Sequence, residues 1–129
     1  MLHQKLVITL VAFALFGTKL AYAEEQKKAV DGAVGYFKSV QNDKKALENF
    51  CGWLNSSLKA TKGYMTKDTK LMNEGNAEFP KYEALVSPDH KKHWDLQAKL
   101  LDFRSPDRRR YIDEKAATES RCTLDPRLK

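Results

Sequence analysis

The chain contains 129 residues, with 23 lysines and arginines against 17 acidic side chains and a formal net charge of +6. A chain of this length can bury one modest core, so a single domain is expected. The length excludes multidomain enzymes, α/β barrels and dinucleotide-binding folds of full size.

The first 23 residues have the pattern of a secretory signal peptide. A short basic start precedes eleven uncharged residues from Leu6 to Phe16, and Ala21-Tyr22-Ala23 has the small-residue spacing of a cleavage site. This apolar run is shorter than the roughly 20 residues that span a bilayer. We therefore predict that residues 1–23 are removed and that the mature chain, residues 24–129, is periplasmic or secreted with a formal charge of +4. An N-terminal core helix or an uncleaved anchor is the alternative.

Cys51 and Cys122 are the two cysteines of the chain. An even count in an exported protein favours a disulfide, and two buried free thiols are the alternative. This disulfide would close a loop of about 70 residues and stabilise the fold by roughly 4 kcal/mol in the chain-entropy treatment. The spacing contains no CxxC pair, so a thioredoxin-like redox role has no support.

Apolar residues of the mature chain recur at helical spacing, and no stretch alternates in the manner of a β-strand. The first predicted helix is followed by Asn42-Asp43, which supplies an N-cap for the second. Cys51 lies on the apolar stripe of the second helix, so its cross-link should face the core. The first stripe consists of Val30, Ala33, Val34, Phe37 and Val40, and the second of Leu47, Phe50, Cys51, Leu54, Leu58 and Met65.

Glycine and proline predict where the helices begin and end. A break is expected between Gly63 and Thr66, because an unbroken second helix would be too long for a domain of this size. Gly75-Asn76 is predicted to be a firm stop, followed by an irregular segment to Val86. Ser87-Pro88-Asp89 and Ser105-Pro106-Asp107 each offer an N-cap serine, a proline in the first turn and an acid that suits the helix dipole.

These elements define an all-α fold class, a small antiparallel bundle of four to five helices stapled by one disulfide. Residues 24–129 form its single domain, and residues 124–129 are expected to fray. The third helix is predicted to bury Trp94, Ala98, Leu101 and Phe103, and the fourth to bury Ile112, Ala116 and Ala117.

The sequence carries no catalytic motif, so we predict a protein that is not an enzyme and holds no cofactor. It has neither the G-x-S-x-G elbow nor the S-x-x-K pattern of a nucleophilic serine. His90 and His93 come nearest to a metal or haem site, because they lie one helical turn apart. A metal site needs a third protein ligand, which the sequence does not designate, and two surface histidines near Trp94 are the alternative reading.

Arginine is confined to the end of the chain, since all six arginines lie between residues 104 and 127. Guanidinium groups bind carboxylates and phosphates through paired hydrogen bonds and are enriched in interfaces. Arg108, Arg109, Arg110 and Tyr111 are therefore predicted to form the partner-binding site. Cations are unfavourable in the first turn of a helix, which suggests that they serve binding more than folding. A solvated turn with local acidic partners is the alternative.

Export, small size and the missing catalytic motifs favour a non-catalytic protein that binds a protein partner of the cell envelope. An immunity or inhibitor protein, or an accessory of secretion or conjugation, would have this form. Binding of anionic lipid or polysaccharide through the arginine-rich helix is one alternative, and a metal or haem carrier is another. Nucleic acid is a poor partner for an exported chain, whereas anionic envelope surfaces fit that compartment.

The leader hypothesis predicts that the exported protein begins at Glu24. Intact-mass measurement of protein recovered from the periplasm or medium should give the mass of residues 24–129, lowered further by the two hydrogens of a disulfide. Recovery of exported protein that retains residues 1–23 would contradict the predicted cleavage.

Overall fold

In a computed structural model the described residues 2–129 form five α-helices joined by turns and short loops, without a β-strand in that range, which confirms the predicted all-α class. The structure describes the backbone of residues 2–129 and the side chains of residues 20–129. Most of the predicted leader, residues 1–19, lies outside the described side chains, so its removal stays a prediction. The helices are α1 (Leu2–Asn42), α2 (Lys44–Thr66), α3 (Thr69–Leu85), α4 (His90–Asp95) and α5 (Pro106–Glu119), with 3₁₀ turns at Leu96–Lys99 and Pro126–Leu128.

The apolar stripe of α1 is the first wall of the core, as its spacing predicted. All five of its predicted residues are buried, and Phe37 is completely inaccessible to solvent. The next helix begins where Asp43 was expected to cap it, because the Asp43 carboxylate accepts a hydrogen bond of 2.9 Å from the Ala46 amide. Local sequence therefore determines both the buried face of α1 and the start of α2.

The stripe of α2 follows the prediction over its first part and departs from it at Met65. Phe50 and Leu54 are buried, and Cys51 is partly buried against the core. Met65 is 75% exposed, so its predicted burial is wrong. Gly63 faces the backbone of α3, and a residue two positions later lies on the opposite side of a helix.

The predicted break after α2 is present. Lys67 adopts the left-handed conformation, with φ at 57°, and ends α2 one residue beyond Thr66. Asp68 then caps α3 by accepting a hydrogen bond of 3.0 Å from the Leu71 amide. The turn therefore reverses the chain within two residues and places α3 alongside α2.

Gly75 does not end α3, and the prediction of an irregular segment after this glycine is wrong. α3 continues to Leu85 and accommodates Pro80 at the loss of one backbone hydrogen bond. Gly75 is buried because it faces α2, where an added Cβ would collide with the Ala60 amide and lie 2.6 Å from the Ser56 carbonyl oxygen. This glycine permits a close helix–helix approach instead of a C-terminal cap.

The helix predicted to follow Ser87-Pro88-Asp89, which is α4 in the structure, is much shorter than its sequence suggested. α4 has six residues and passes directly into the 3₁₀ turn Leu96–Lys99. A 3₁₀ helix turns about 120° per residue instead of 100°, which rotates later side chains away from the face that α-helical spacing assigns. Leu96 and Leu100 are buried together with His90 at the start of α4, whereas Ala98, Leu101 and Phe103 are exposed against prediction.

α5 begins where expected, with Ser105 in the N-cap position and Pro106 in the first turn, but the Ser105 side chain makes no capping hydrogen bond. Its buried face is different, because Tyr111 and Thr118 are fully buried while Ala116 and Ala117 are exposed and Ile112 is partly buried. The large aromatic side chain sets the orientation of the helix, since the alanines offer little area to bury. Gln41 of α1 supports this orientation by donating a hydrogen bond of 2.9 Å to the Thr118 hydroxyl.

The predicted disulfide joins Cys51 of α2 to Cys122, just beyond α5. It holds the end of α5 on the bundle, as expected from the thin apolar face of that helix. Over residues 20–129, none of the helices is long and apolar enough to cross a membrane.

The C-terminal segment is bound to the α2–α3 hairpin, so its predicted fraying is wrong. The Asn55 side chain accepts a hydrogen bond of 2.8 Å from the Asp125 amide. Arg127 forms ion pairs with Glu74 at 2.7 Å and with Asp125 at 2.8 Å. These contacts continue the cross-link begun by the disulfide.

The close approach of α2 and α3 predicts opposite effects for two glycine substitutions. Gly75→Ala should lower the free energy of unfolding by about 1–3 kcal/mol, because the new methyl group meets backbone atoms that cannot move aside cheaply. Gly35→Ala is the matched control, because nothing lies within 4 Å of the added Cβ on α1. It should be neutral or stabilise by up to about 1 kcal/mol through helix propensity. Urea denaturation measures both, and a Gly75→Ala variant as stable as the parent would refute the packing argument.

Candidate interaction surface

Tyr111 fixes the geometry of this region from inside the core. Its hydroxyl lies 2.6 Å from the His93 carbonyl oxygen and 2.8 Å from that of Trp94, so it donates to the C-terminal part of α4. Its ring packs edge-on against Phe37 at 5.8 Å between centroids. Burial raises the pKa of Tyr111 to about 12, so the phenol remains a donor. Tyr111 is therefore a core residue, and its predicted place in an exposed contact site is wrong.

The segment between Trp94 and Tyr111 consequently has both ends anchored. Between them the chain makes a tight turn, in which the Asp102 side chain accepts a hydrogen bond of 3.0 Å from the Arg104 amide. This turn directs Leu101 and Phe103 outward, where they are 73% and 79% exposed. Two large apolar side chains one residue apart therefore project into solvent.

Arg108 supports the exposed aromatic ring. Its Nε donates a hydrogen bond of 3.1 Å to the Leu100 carbonyl, and its guanidinium lies 4.4 Å from the centroid of the Phe103 ring. This cation–π contact contributes about 0.5–1 kcal/mol at an exposed site. It holds Phe103 at the edge of an apolar groove of about 720 Å³, lined chiefly by Trp94, Ala98, Leu100, Leu101 and Phe103.

Arg110, in contrast, has a structural role through Asp31 of α1, a partner that the sequence did not indicate. It forms an ion pair with Asp31 of α1 at 2.5 Å and a second with Asp107 at 3.3 Å. The hydrogen bond to Asp31 raises the pKa of Arg110 above its ordinary value. Arg110 therefore links the start of α5 to α1, and only Arg108 and Arg109 of the predicted triplet face the exposed loop region or solvent without an acidic partner.

The segment 99–109, which carries the two exposed apolar side chains, also contains four cations. None of the four forms an ion pair within the described side chains, in contrast to Lys59, Arg110 and Arg127. The exposed carboxylate of Asp102 lies in the same segment and accepts from the Arg104 amide. We define the Phe103 surface as the two exposed apolar side chains of the segment 99–109 together with the four cations of that segment that form no ion pair. Its members are Lys99, Leu101, Phe103, Arg104, Arg108 and Arg109.

The two histidines have different surroundings from those that the sequence suggested. His90 is 2% exposed, and its Nδ1 lies 2.5 Å from the Tyr36 hydroxyl. Burial lowers the pKa of His90 to about 4. His93 is partly buried and stacks on Tyr36 at 5.0 Å, and burial lowers its pKa as well. Among residues 20–129 no group of three or more histidine, cysteine or acidic side chains is arranged to hold a metal ion.

The chain matches no protein-family model, and neither a curated protein nor a solved structure is significantly similar to it.

The structure predicts that two adjacent arginines differ in their effect on stability. Arg110→Gln should lower the free energy of unfolding by about 0.5–1 kcal/mol at low salt, because it removes the exposed link to Asp31. Arg109→Gln should leave stability unchanged or raise it slightly, since it removes a cation from the first turn of α5. Urea denaturation of both variants measures this difference.

An Asp31→Asn variant completes a double-mutant cycle with Arg110→Gln. The cycle should give a coupling free energy that falls as salt is added, because salt screens exposed ion pairs. A coupling of zero at low salt would contradict the structural role of Arg110.

Proposed function

We propose that this chain is a small exported, non-catalytic helical protein that binds an acidic protein partner of the cell envelope through the Phe103 surface. The observation that carries the proposal is the exposure of Leu101 and Phe103 in a segment that contains four cations without an ion pair among the described side chains. Interfaces combine these features, since aromatic and arginine side chains dominate their binding energy.

The apolar part of the surface supports burial by a partner. Leu101 and Phe103 do not cover the core of this chain, because Leu100 fills the adjoining core position and is buried. Arg108 further restricts the orientation of the Phe103 ring. A preordered aromatic side chain loses less conformational freedom on binding, which favours affinity. A complementary socket on the partner would receive Phe103 together with the apolar rim of the groove.

The charge of the surface specifies the chemistry of the partner. Lys99, Arg104 and Arg109 are exposed and add to the charge of Arg108. Unpaired cations around an apolar centre attract an acidic surface and repel a basic one, which accelerates encounter and improves discrimination. The partner should therefore present carboxylates around its apolar socket. An immunity or inhibitor protein for an acidic target, or an accessory of a secretion or conjugation apparatus, would meet this description.

Export is the second part of the proposal. The signal-peptide pattern of residues 1–23 supports it, and the Cys51–Cys122 disulfide is typical of oxidising compartments outside the cytoplasm. A periplasmic or secreted location would give the Phe103 surface access to envelope proteins.

Paired substitutions at two exposed aromatic residues test the binding proposal. Phe103 and Tyr64 are 79% and 77% exposed, and Tyr64 lies near the end of α2, away from the Phe103 surface. Mature protein and both alanine variants would be immobilised, and envelope extract of the source cells passed over each. Phe103→Ala should weaken retention of the specific partner roughly 10- to 100-fold, whereas Tyr64→Ala should not.

Substitutions of single arginines and measurements of vesicle binding complete this experiment. Arg109→Gln should weaken partner retention and reduce its salt sensitivity, whereas Arg121→Gln should have little effect because that arginine lies outside the surface. Vesicles of phosphatidylcholine with and without phosphatidylglycerol provide the comparison with anionic lipid. If the parent protein binds only the anionic vesicles and Phe103→Ala loses this binding, the ligand of the Phe103 surface is an anionic membrane and not a protein. Equal partner retention by Phe103→Ala and the parent would refute the proposed surface.

A further inference from the structure

His90 occupies the junction of three helices. It is the first residue of α4, and its ring packs edge-on against Trp53 of α2 at 4.2 Å between centroids. The Phe50 ring lies on another side at 5.6 Å, and the Trp94 ring stacks at 5.8 Å. The Tyr36 hydroxyl of α1 completes the enclosure. A polar ring is thus the central contact between α4 and an aromatic cluster.

The hydrogen bonds of this ring suit the neutral imidazole. Burial raises the pKa of Tyr36 above its ordinary value, so its hydroxyl keeps its proton and can donate to Nδ1 of His90. The Nε2 atom then carries the ring proton, yet it has no hydrogen-bond partner within the described structure. A second proton would occupy Nδ1, which would turn the acceptor of the Tyr36 hydrogen bond into a donor and add a charge among aromatic rings.

The charged groups around His90 do little to compensate for such a charge. Asp95, which lies on α4 as His90 does, favours the protonated form of His90. However, Asp95 is half-exposed and already pairs with Lys91 at 3.1 Å. His93 of α4 and Lys115 of α5 oppose the protonated form. Glu83 of α3 is exposed and lines the same cavity of about 300 Å³ as His90, and the α2 side packs the aromatic rings of Phe50 and Trp53 against the imidazole.

The position of α4 connects this site to the proposed binding surface. α4 leads through the 3₁₀ turn into Leu101 and Phe103, whereas the disulfide and the ion pairs of the C-terminal segment hold other parts of the chain. Besides the packing of Leu96 and Leu100, Tyr111 secures the far end of α4. Weakening the His90 contact therefore acts on the segment that presents the Phe103 surface.

We propose that His90 is a proton-operated latch, which in its neutral form holds α4 and the Phe103 surface on the bundle and on protonation releases them. The functional consequence, control of partner binding by pH, rests on the proposed function. The latch itself is a property of the isolated protein.

The direction of the pH dependence follows from linkage. His90 has a pKa of about 4 in the closed form, and in the released form it would approach the ordinary histidine value of about 6.5. The released form therefore binds protons more strongly, so acidification favours release. Closure is fully favoured above about pH 6.5, weakens as the pH falls toward 4, and changes no further below that value. The opening equilibrium should rise on the order of 100-fold across this interval.

Hydrogen exchange of the mature protein, measured by mass spectrometry as the pH is lowered from about 7 to 4, tests the latch. Protection factors, which correct for the intrinsic pH dependence of exchange, should fall on the order of 100-fold in the segment 90–100. Protection of the α2–α3 hairpin should stay constant. Unchanged protection in the segment 90–100 would overturn the proposal.

Two substitutions distinguish the effect of His90 protonation on protection from the effect of other acid-sensitive groups. His90→Phe keeps an aromatic ring in the cluster but cannot titrate, so the fall in protection should disappear. His93→Gln is the matched control one turn away and should retain it. An unaltered transition in a folded His90→Phe variant would overturn the proposal.

An NMR titration of the His90 ring in the parent protein covers the case in which His90→Phe does not fold. The ring should titrate well below pH 6.5, together with the loss of protection. An inflection near pH 6.5 without any loss of protection would refute the latch. Partner binding that does not change while the latch opens would instead contradict the proposed Phe103 surface, so the two failures are distinguishable.

Discussion

Burial of the Tyr111 side chain is the constraint from which the arrangement of the second half of the chain follows. Its ring fills the space beside Phe37, and its hydroxyl satisfies the carbonyls of His93 and Trp94. A buried carbonyl without a donor would cost about 1–3 kcal/mol, so this contact fixes α5 against α4. With both ends held, the intervening segment must turn sharply, and its exposed side chains acquire a defined position.

The rest of the bundle is stabilised by contacts of a different kind. Gly63 and Gly75 allow α2 and α3 to approach so closely that backbone faces backbone, and the disulfide and Arg127 fasten the end of the chain to this pair. These contacts contain no group that titrates near neutral pH. The attachment of α4 includes, besides Leu96, Leu100 and the Tyr111 hydroxyl, the buried imidazole of His90, whose pKa burial lowers.

The distribution of ion pairs separates cations that hold the fold from cations that remain available. Lys59, Arg110 and Arg127 each bridge two parts of the chain, whereas Arg104 and Arg109 have no acidic partner among the described side chains. Arg104 follows the exposed Phe103 in the chain, and Arg109 lies in the first turn of α5. Neither position of the cation favours folding. A local choice that does not favour the fold is expected at a functional site, and this distinction supports the proposed binding surface.

The sequence by itself determined the all-α class, the buried face of α1, the capping residues of α2 and the disulfide, because each depends on local periodicity, local hydrogen bonds or a single possible pair of cysteines. The sequence also located the cationic region. It could not distinguish the unpaired Arg109 from the ion-paired Arg110, because the partner of Arg110, Asp31, is distant in sequence. Only the tertiary structure decided that Gly75 lies within a helix, that His90 and Tyr111 are buried, and that Phe103 is exposed. In each case the deciding neighbour lies on another helix, and neither periodicity nor capping chemistry contains information about that neighbour.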